Sequence, residues 1–165
     1  MSMRWGRHLV STRWSLARRF PNATLDAIEA AVGASEARHR GEIRFAIEAA
    51  LDVRALRRTE TPRERAHEVF SELRVWDTHE RNGVLIYLLL AERVVELVAD
   101  RGFDGRVSFA EWQEVCAAIE GAFRAARWHE GALLGIDAVT RLLVREFPRT
   151  GAPDSDEQPN RPKIL

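Results

Sequence analysis

Arg81-Asn82-Gly83-Val84-Leu85-Ile86-Tyr87-Leu88-Leu89-Leu90-Ala91-Glu92-Arg93-Val94-Val95-Glu96-Leu97-Val98-Ala99-Asp100-Arg101-Gly102 holds two apolar runs separated by Ala91-Glu92-Arg93. Val84 to Leu90 offers no polar face, so it reads as a strand covered on both sides. Val94 to Ala99 is rich in β-branched residues and keeps one polar position, Glu96. A break this short suits a hairpin, which predicts antiparallel pairing. The pairing returns Asp100-Arg101-Gly102 to the sheet end that carries Arg81-Asn82-Gly83, gathering polar residues where the apolar core stops.

Upstream, Thr61-Pro62-Arg63-Glu64 places a capping residue, a proline at the first helical position and a capping-box glutamate. The helix it starts turns Ala66, Val69, Phe70 and Leu73 inward and ends near Val75-Trp76. Before it, Ile43, Phe45 and Ile47 alternate with Arg44, Ala46 and Glu48, the period of a strand with one packed face. A polar, arginine-rich loop joins the two. Thr24 is expected to cap an earlier helix running to about Ala37, with Leu25, Ile28 and Val32 inward. Downstream, Ser108-Phe109-Ala110-Glu111 is a second capping box, followed by an apolar stripe of Phe109, Trp112, Cys116, Ile119 and Phe123. A last helix begins near His129-Glu130 and stops at Pro148. The strand, helix, strand unit through residue 90 predicts a parallel pair with a right-handed crossover. The expected fold class is α/β: a three-layer α/β/α sandwich, Rossmann-like, with a small mixed β-sheet and helices on both faces.

The domain spans residues 21–149. Residues 1–20 carry Arg4, Arg7, Arg13, Arg18 and Arg19 with no acid, while Trp5, Leu9, Leu16 and Phe20 recur at helical spacing. Such a basic amphipathic segment is expected to dock on its own domain or to be partly disordered, in preference to peripheral contact with an anionic membrane, because its apolar stripe is thin. Residues 150–165, with Pro153, Pro159 and Pro162, show no apolar pattern and are expected to form a disordered tail.

The formal net charge is zero, so no global field recruits nucleic acid, and no nucleic-acid partner is expected. Lys163 is the only lysine among 25 basic residues, and the arginines are spread along the chain rather than focused. Cys116 is alone, which rules out an internal disulfide and a cysteine-built zinc site. Residues 1–19 contain no uninterrupted apolar run of a secretory signal, and the apolar stretch at 84–90 is too short to span a bilayer. A cytoplasmic location is expected.

Three places resemble the TPM domain family, a small α/β/α domain of bacteria and chloroplasts: His39-Arg40-Gly41-Glu42-Ile43-Arg44-Phe45-Ala46, Arg81-Asn82-Gly83-Val84-Leu85-Ile86, and Arg101-Gly102-Phe103-Asp104-Gly105-Arg106-Val107-Ser108. The likeness runs from about Leu25 to Phe147. It differs at Asp100, where the family's loop usually has glycine, and at Phe20-Pro21-Asn22-Ala23-Thr24, which lacks the aspartate motif of longer, exported members. The resemblance implies divalent-cation binding and acid-phosphatase activity.

No nucleophile elbow, phosphate loop, dinucleotide fingerprint or zinc-protease motif is present. The chemistry rests on the polar end of the sheet, where Glu42, Asp77, Asn82, Asp100 and Asp104 are expected to approach one another, with His39, His79 and Arg101 nearby. Carboxylates and an amide oxygen suit a hard cation, calcium or magnesium. Arg81 and Arg101 are candidates for holding an anionic ligand. In the competing reading Asp77 and Asn82 are turn residues, Asp100 and Asp104 shape a loop, Arg101 pairs with Asp100, and Glu42 pairs with an arginine. The function read from this is a binding or interaction module, for a protein or small-molecule partner of unknown identity, with weak cation binding. The alternative, carried by the resemblance alone, is a metal-dependent acid-phosphatase-like phosphohydrolase.

Overall fold

The computed structural model of the chain describes residues 3–151 and 157–165, except for the side chains of residues 3, 9 and 10. In chain order its helices are α1 (Met3–Val10), α2 (Arg13–Arg19), α3 (Asn22–Glu36), α4 (Val53–Arg57), α5 (Pro62–Glu72), α6 (Phe109–Arg124) and α7 (Trp128–Glu146). The strands are β1 (Glu42–Glu48), β2 (Gly83–Leu89), β3 (Val94–Ala99) and β4 (Lys163–Ile164). They form one sheet in the order β3-β2-β1-β4. β1 and β2 are parallel, with Phe45 opposite Ile86, and β2 and β3 are antiparallel, with Ile86 opposite Leu97. The hairpin and the parallel crossover thus follow the pattern of apolar runs.

Because side chains alternate across a strand, the register sorts them into two cores. Ile43, Phe45, Ile47, Val84, Ile86, Leu88 and Leu97 face one side, under α3, α6 and α7. Ala46, Leu85, Tyr87, Leu89 and Val98 face the other, under α4 and α5. Both faces of β2 are therefore covered, and the fold is a three-layer α/β/α sandwich. Both capping boxes form, at Thr61 with Glu64 and at Ser108 with Glu111.

Several expectations are corrected. The helix expected to start at Thr24 begins at Asn22 behind Pro21, and Thr24 is buried inside it, its hydroxyl 3.3 Å from His129 Nδ1. Phe109 is not in the α6 core stripe: it occupies the first helical position and is 75% exposed. The arginine-rich loop after β1 contains α4, capped by the Asp52 carboxylate on the Ala55 N–H. β1 was expected to pack on one face, yet all its residues are buried. Arg44 and Glu48 are tolerated there because each is satisfied: Arg44 Nη1 donates to the carbonyls of Pro159 and Arg161, and Glu48 accepts from Tyr87 and Arg65.

The partners of Arg44 belong to the segment expected to be a structureless tail. Residues 157–165 instead run beside β1, where β4 pairs in parallel through Ala46 with Lys163 and Ile47 with Ile164. Arg161 bridges Asp26 and Glu29 of α3 at 2.9 and 2.6 Å, and Gln158 Nε2 donates to the Arg74 carbonyl. Those residues lack an apolar pattern because they add backbone and polar bonds to an edge rather than a core face. Pro153 lies outside the described residues.

Residues 3–19 form two helices, broken where Thr12 and Ser15 form a capping box. α1 docks on the domain. His8 Nδ1 accepts the Leu51 N–H at 3.0 Å, which leaves the ring proton on Nε2 to donate to Glu92 at 2.9 Å. Arg4 reaches the same Glu92 oxygen at 2.8 Å, and Trp5 packs on the core under α5. Among the described residues no helix is long and apolar enough to cross a membrane.

Candidate functional site

The polar end of the sheet is built by two close backbone approaches. A Cβ on Gly102 would sit 2.5 Å from the Arg81 carbonyl oxygen, and one on Gly83 would overlap the carbonyl of Val75. Glycine at both positions lets the β2 start, the β3 end and the 75–81 loop meet. The Gly102 N–H donates to the Arg81 carbonyl at 2.8 Å and the Asp100 N–H to the Gly83 carbonyl at 2.9 Å. Arg81 takes the left-handed conformation, φ 54°, to turn into β2.

The expected site residues divide around this junction. Asn82 is buried and structural: Nδ2 donates to the Arg40 carbonyl at 2.9 Å, and its N–H donates to Thr78 Oγ1. Glu42 is buried, and its Oε1 accepts the Glu157 N–H at 3.2 Å. Asp77, in the 75–81 loop, is exposed and pairs with Arg74 at 2.8 Å. Arg81 and Arg101 are exposed, and no ion pair joins Arg101 to Asp100. His39 is buried, and the His79 N–H donates to Glu157 Oε2. Among the described residues no group of three or more His, Cys, Asp and Glu side chains is placed to hold a metal ion.

Asp100 and Asp104 do share a site. Asp100 caps a 3-10 turn, Arg101–Phe103, with Oδ1 accepting the Arg101 N–H at 2.7 Å. Its Oδ2 is buried and has no hydrogen-bond partner among the described residues, although the residue is only 8% exposed. Both aspartates line a cleft of about 440 Å³ along the outer edge of β3, walled by Phe109 and Trp112 of α6 and by Arg63 of α5. Phe103 anchors the cleft wall, edge-on to Trp112 and Phe147 at centroid distances of 5.4 and 5.0 Å.

The strand edge in this cleft is occupied by side chains. Arg63 Nη1 donates to the Leu97 carbonyl, and Glu120 Oε1 accepts the Val95 N–H at 3.2 Å. These contacts blunt an edge that would otherwise pair with another chain. Cys116 also lines the cleft; burial, then the charge of Glu96, pushes its thiol up to about 11, so it is a protonated thiol at neutral pH. Arg63 was missed as a site residue because it comes from a helix far from Asp100 in sequence, and Phe109 and Trp112 because they were read as part of the buried α6 stripe. The legible signal was Phe109 itself, an aromatic at the first helical position, where the core stripe had not yet begun.

No curated protein matches the chain. The solved structures include the NMR structure of the BA42 protein from the psychrophilic bacterium Bizionia argentinensis, 28% identical, with a TM-score of 0.74 over 87% of this chain and 93% of that one. A family model described as the TPM domain matches residues 16–142, which takes in the hairpin, the crossover, the glycine junction and the Asp100 cleft. The chain belongs to the TPM domain family.

Proposed function

We propose that the chain is a binding module whose ligand site is the cleft along the β3 edge, with Asp100 as its polar anchor for a divalent cation held weakly. The observation that carries this reading is the Asp100 carboxylate: Oδ1 is used by the turn it caps, while Oδ2 is buried in the cleft wall without a partner among the described residues. A buried carboxylate oxygen left without a donor is costly unless a ligand or water completes it. Asp104, exposed on the same cleft, adds a second oxygen donor. Glu96, the third carboxylate on the cleft, is paired with Arg63 at 3.4 Å; the two that remain are few for calcium, but suit magnesium, which keeps much of its water shell. The affinity is therefore low, and Phe109 and Trp112 supply apolar contact for whatever else enters.

The metal-dependent phosphohydrolase implied by family resemblance finds less support, because among the described residues no group of three or more His, Cys, Asp and Glu side chains is placed to hold the metal that would have to activate water. The test is thermal unfolding with magnesium or calcium added, beside a phosphomonoester hydrolysis assay. The melting temperature should rise with cation concentration by mass action. Asp100→Asn keeps the capping oxygen but loses the charge, so it should abolish most of that rise without lowering the cation-free melting temperature. A wild-type protein that ignores both cations removes the cation reading. Hydrolysis that needs the cation and disappears in Asp100→Asn replaces the binding module with an enzyme.

A further inference from the structure

A second cavity, of about 760 Å³, lies at the opposite end of the sheet from Asp100, where the β2–β3 turn meets α1 and α2. It sits beyond the carboxyl end of β2, the region where open α/β sheets take ligands. Arg7, Arg19 and Arg93 line it, with Leu90 as an apolar wall. None of these arginines has an ion pair among the described residues. Glu92, the one acid among the described residues that line the cavity, is already held by Arg4 at 2.8 Å and by the Nε2 proton of His8.

The crowding is visible in Arg19, whose guanidinium is held below its ordinary range by burial, then by the positive charges of Arg93 and Arg18. Its position is set by Trp128, over whose ring it lies at 5.3 Å. Arg93 is held at φ 54° in the turn closed by its N–H on the Leu90 carbonyl at 3.2 Å. Ser11 Oγ, also in the cavity lining, is buried and has no hydrogen-bond partner among the described residues. Three uncompensated guanidinium groups and an idle hydroxyl around one cavity match a group with several anionic oxygens, because each guanidinium forks onto two of them.

We propose that this cavity binds a phosphate group, borne by a small soluble phosphate ester or by an anionic lipid headgroup. Arg7, Arg19 and Arg93 donate to its oxygens, and Ser11 Oγ donates a further bond. The site is separate from the Asp100 cleft, and Arg7 and Ser11 precede the residues matched by the family model.

Titration calorimetry of the full chain with inorganic pyrophosphate tests this, beside flotation with phosphatidylcholine vesicles with and without phosphatidic acid. The variants are Arg7→Gln and Arg93→Asn, the second chosen because asparagine tolerates the left-handed backbone. Pyrophosphate should bind, and each variant should weaken it about tenfold or more, the loss expected of a charge-assisted bond. Flotation only with phosphatidic acid, relieved by pyrophosphate and lost in Arg93→Asn, assigns the phosphate to a lipid headgroup. Pyrophosphate binding without flotation assigns it to a soluble ester. The proposal is overturned by absence of binding up to about 10 mM, a concentration beyond which affinity is too weak for a built site. It is equally overturned if both variants leave pyrophosphate binding, or vesicle binding, within about twofold of the wild type.

Discussion

Replacing Tyr87 with phenylalanine removes one oxygen from the centre of the molecule and nothing else. Tyr87 is fully buried on β2, and its hydroxyl donates to Glu48 Oε2 at 2.6 Å. The same carboxylate oxygen accepts Arg65 Nε at 3.0 Å, so Glu48 stays paired in the variant but loses its shortest bond. A hydrogen bond to a charged group contributes about 1.5–3 kcal/mol, and the ring of phenylalanine leaves no cavity of consequence. For a domain of this size each kcal/mol moves the melting temperature by about 2–4 °C, so Tyr87→Phe should melt roughly 3–12 °C lower at neutral pH.

The same contact has a pH signature. Burial, then the negative charge of Glu48 and the bond to it, pushes the Tyr87 phenol well above its ordinary value of 10.0. The native state therefore keeps this proton where the unfolded chain releases it. The stabilisation is whole below about pH 10 and is lost as pH rises beyond, so the gap between wild type and Tyr87→Phe should narrow in alkali. The chain has one tyrosine, and phenolate absorbance reports it alone. Urea unfolding at neutral pH and an absorbance titration followed with far-ultraviolet circular dichroism make the test. A phenolate that forms near pH 10 while the fold is intact, or a stability loss under about 0.5 kcal/mol, refutes the reasoning.

Removing residues 157–165 should lower the melting temperature by several degrees, because Arg44 loses two carbonyl acceptors and β1 loses its edge partner; an unchanged melting temperature would show that this segment contributes nothing. His39 should make the fold acid-sensitive. Burial chiefly, reinforced by the charges of Arg38 and Arg149, lowers its imidazole from 6.5 to about 4, and neither ring nitrogen has a hydrogen-bond partner among the described residues. The folded state thus favours the neutral ring, so the stabilisation is whole above 6.5 and is lost as pH falls through about 4. His39→Gln should flatten the melting-temperature profile across that interval, and a profile as steep as the wild type's would place the acid sensitivity elsewhere.

The sequence alone determined the elements whose signals are local. Two apolar runs with a short polar break are a hairpin in any context that buries them, and the Thr61 and Ser108 capping boxes mark their helix starts within four residues. A strand apolar on both faces requires helices on both sides, so the three layers followed from Val84 to Leu90. Tertiary structure decided whatever depends on a distant partner. Arg44 and Glu48 read as a solvated strand face, but the Tyr87 hydroxyl, the Arg65 guanidinium and two carbonyls from residues 159 and 161 satisfy them in the interior. The last residues carry no periodicity because an edge strand needs only backbone bonds, which any side chain can supply. At the polar end the sequence brought Asp100 and Asp104 to one place, since the hairpin register fixes where β3 stops. It had no means of separating them from Asn82, Glu42 and Asp77, whose polar groups turn to backbone partners or to a surface arginine. Nor did spacing reveal that Arg7, Arg19 and Arg93 meet at one cavity, because helix docking through His8 and the turn at Arg93 bring them there. Periodicity records which face of an element avoids water; which polar groups meet across elements is set by the packing that follows.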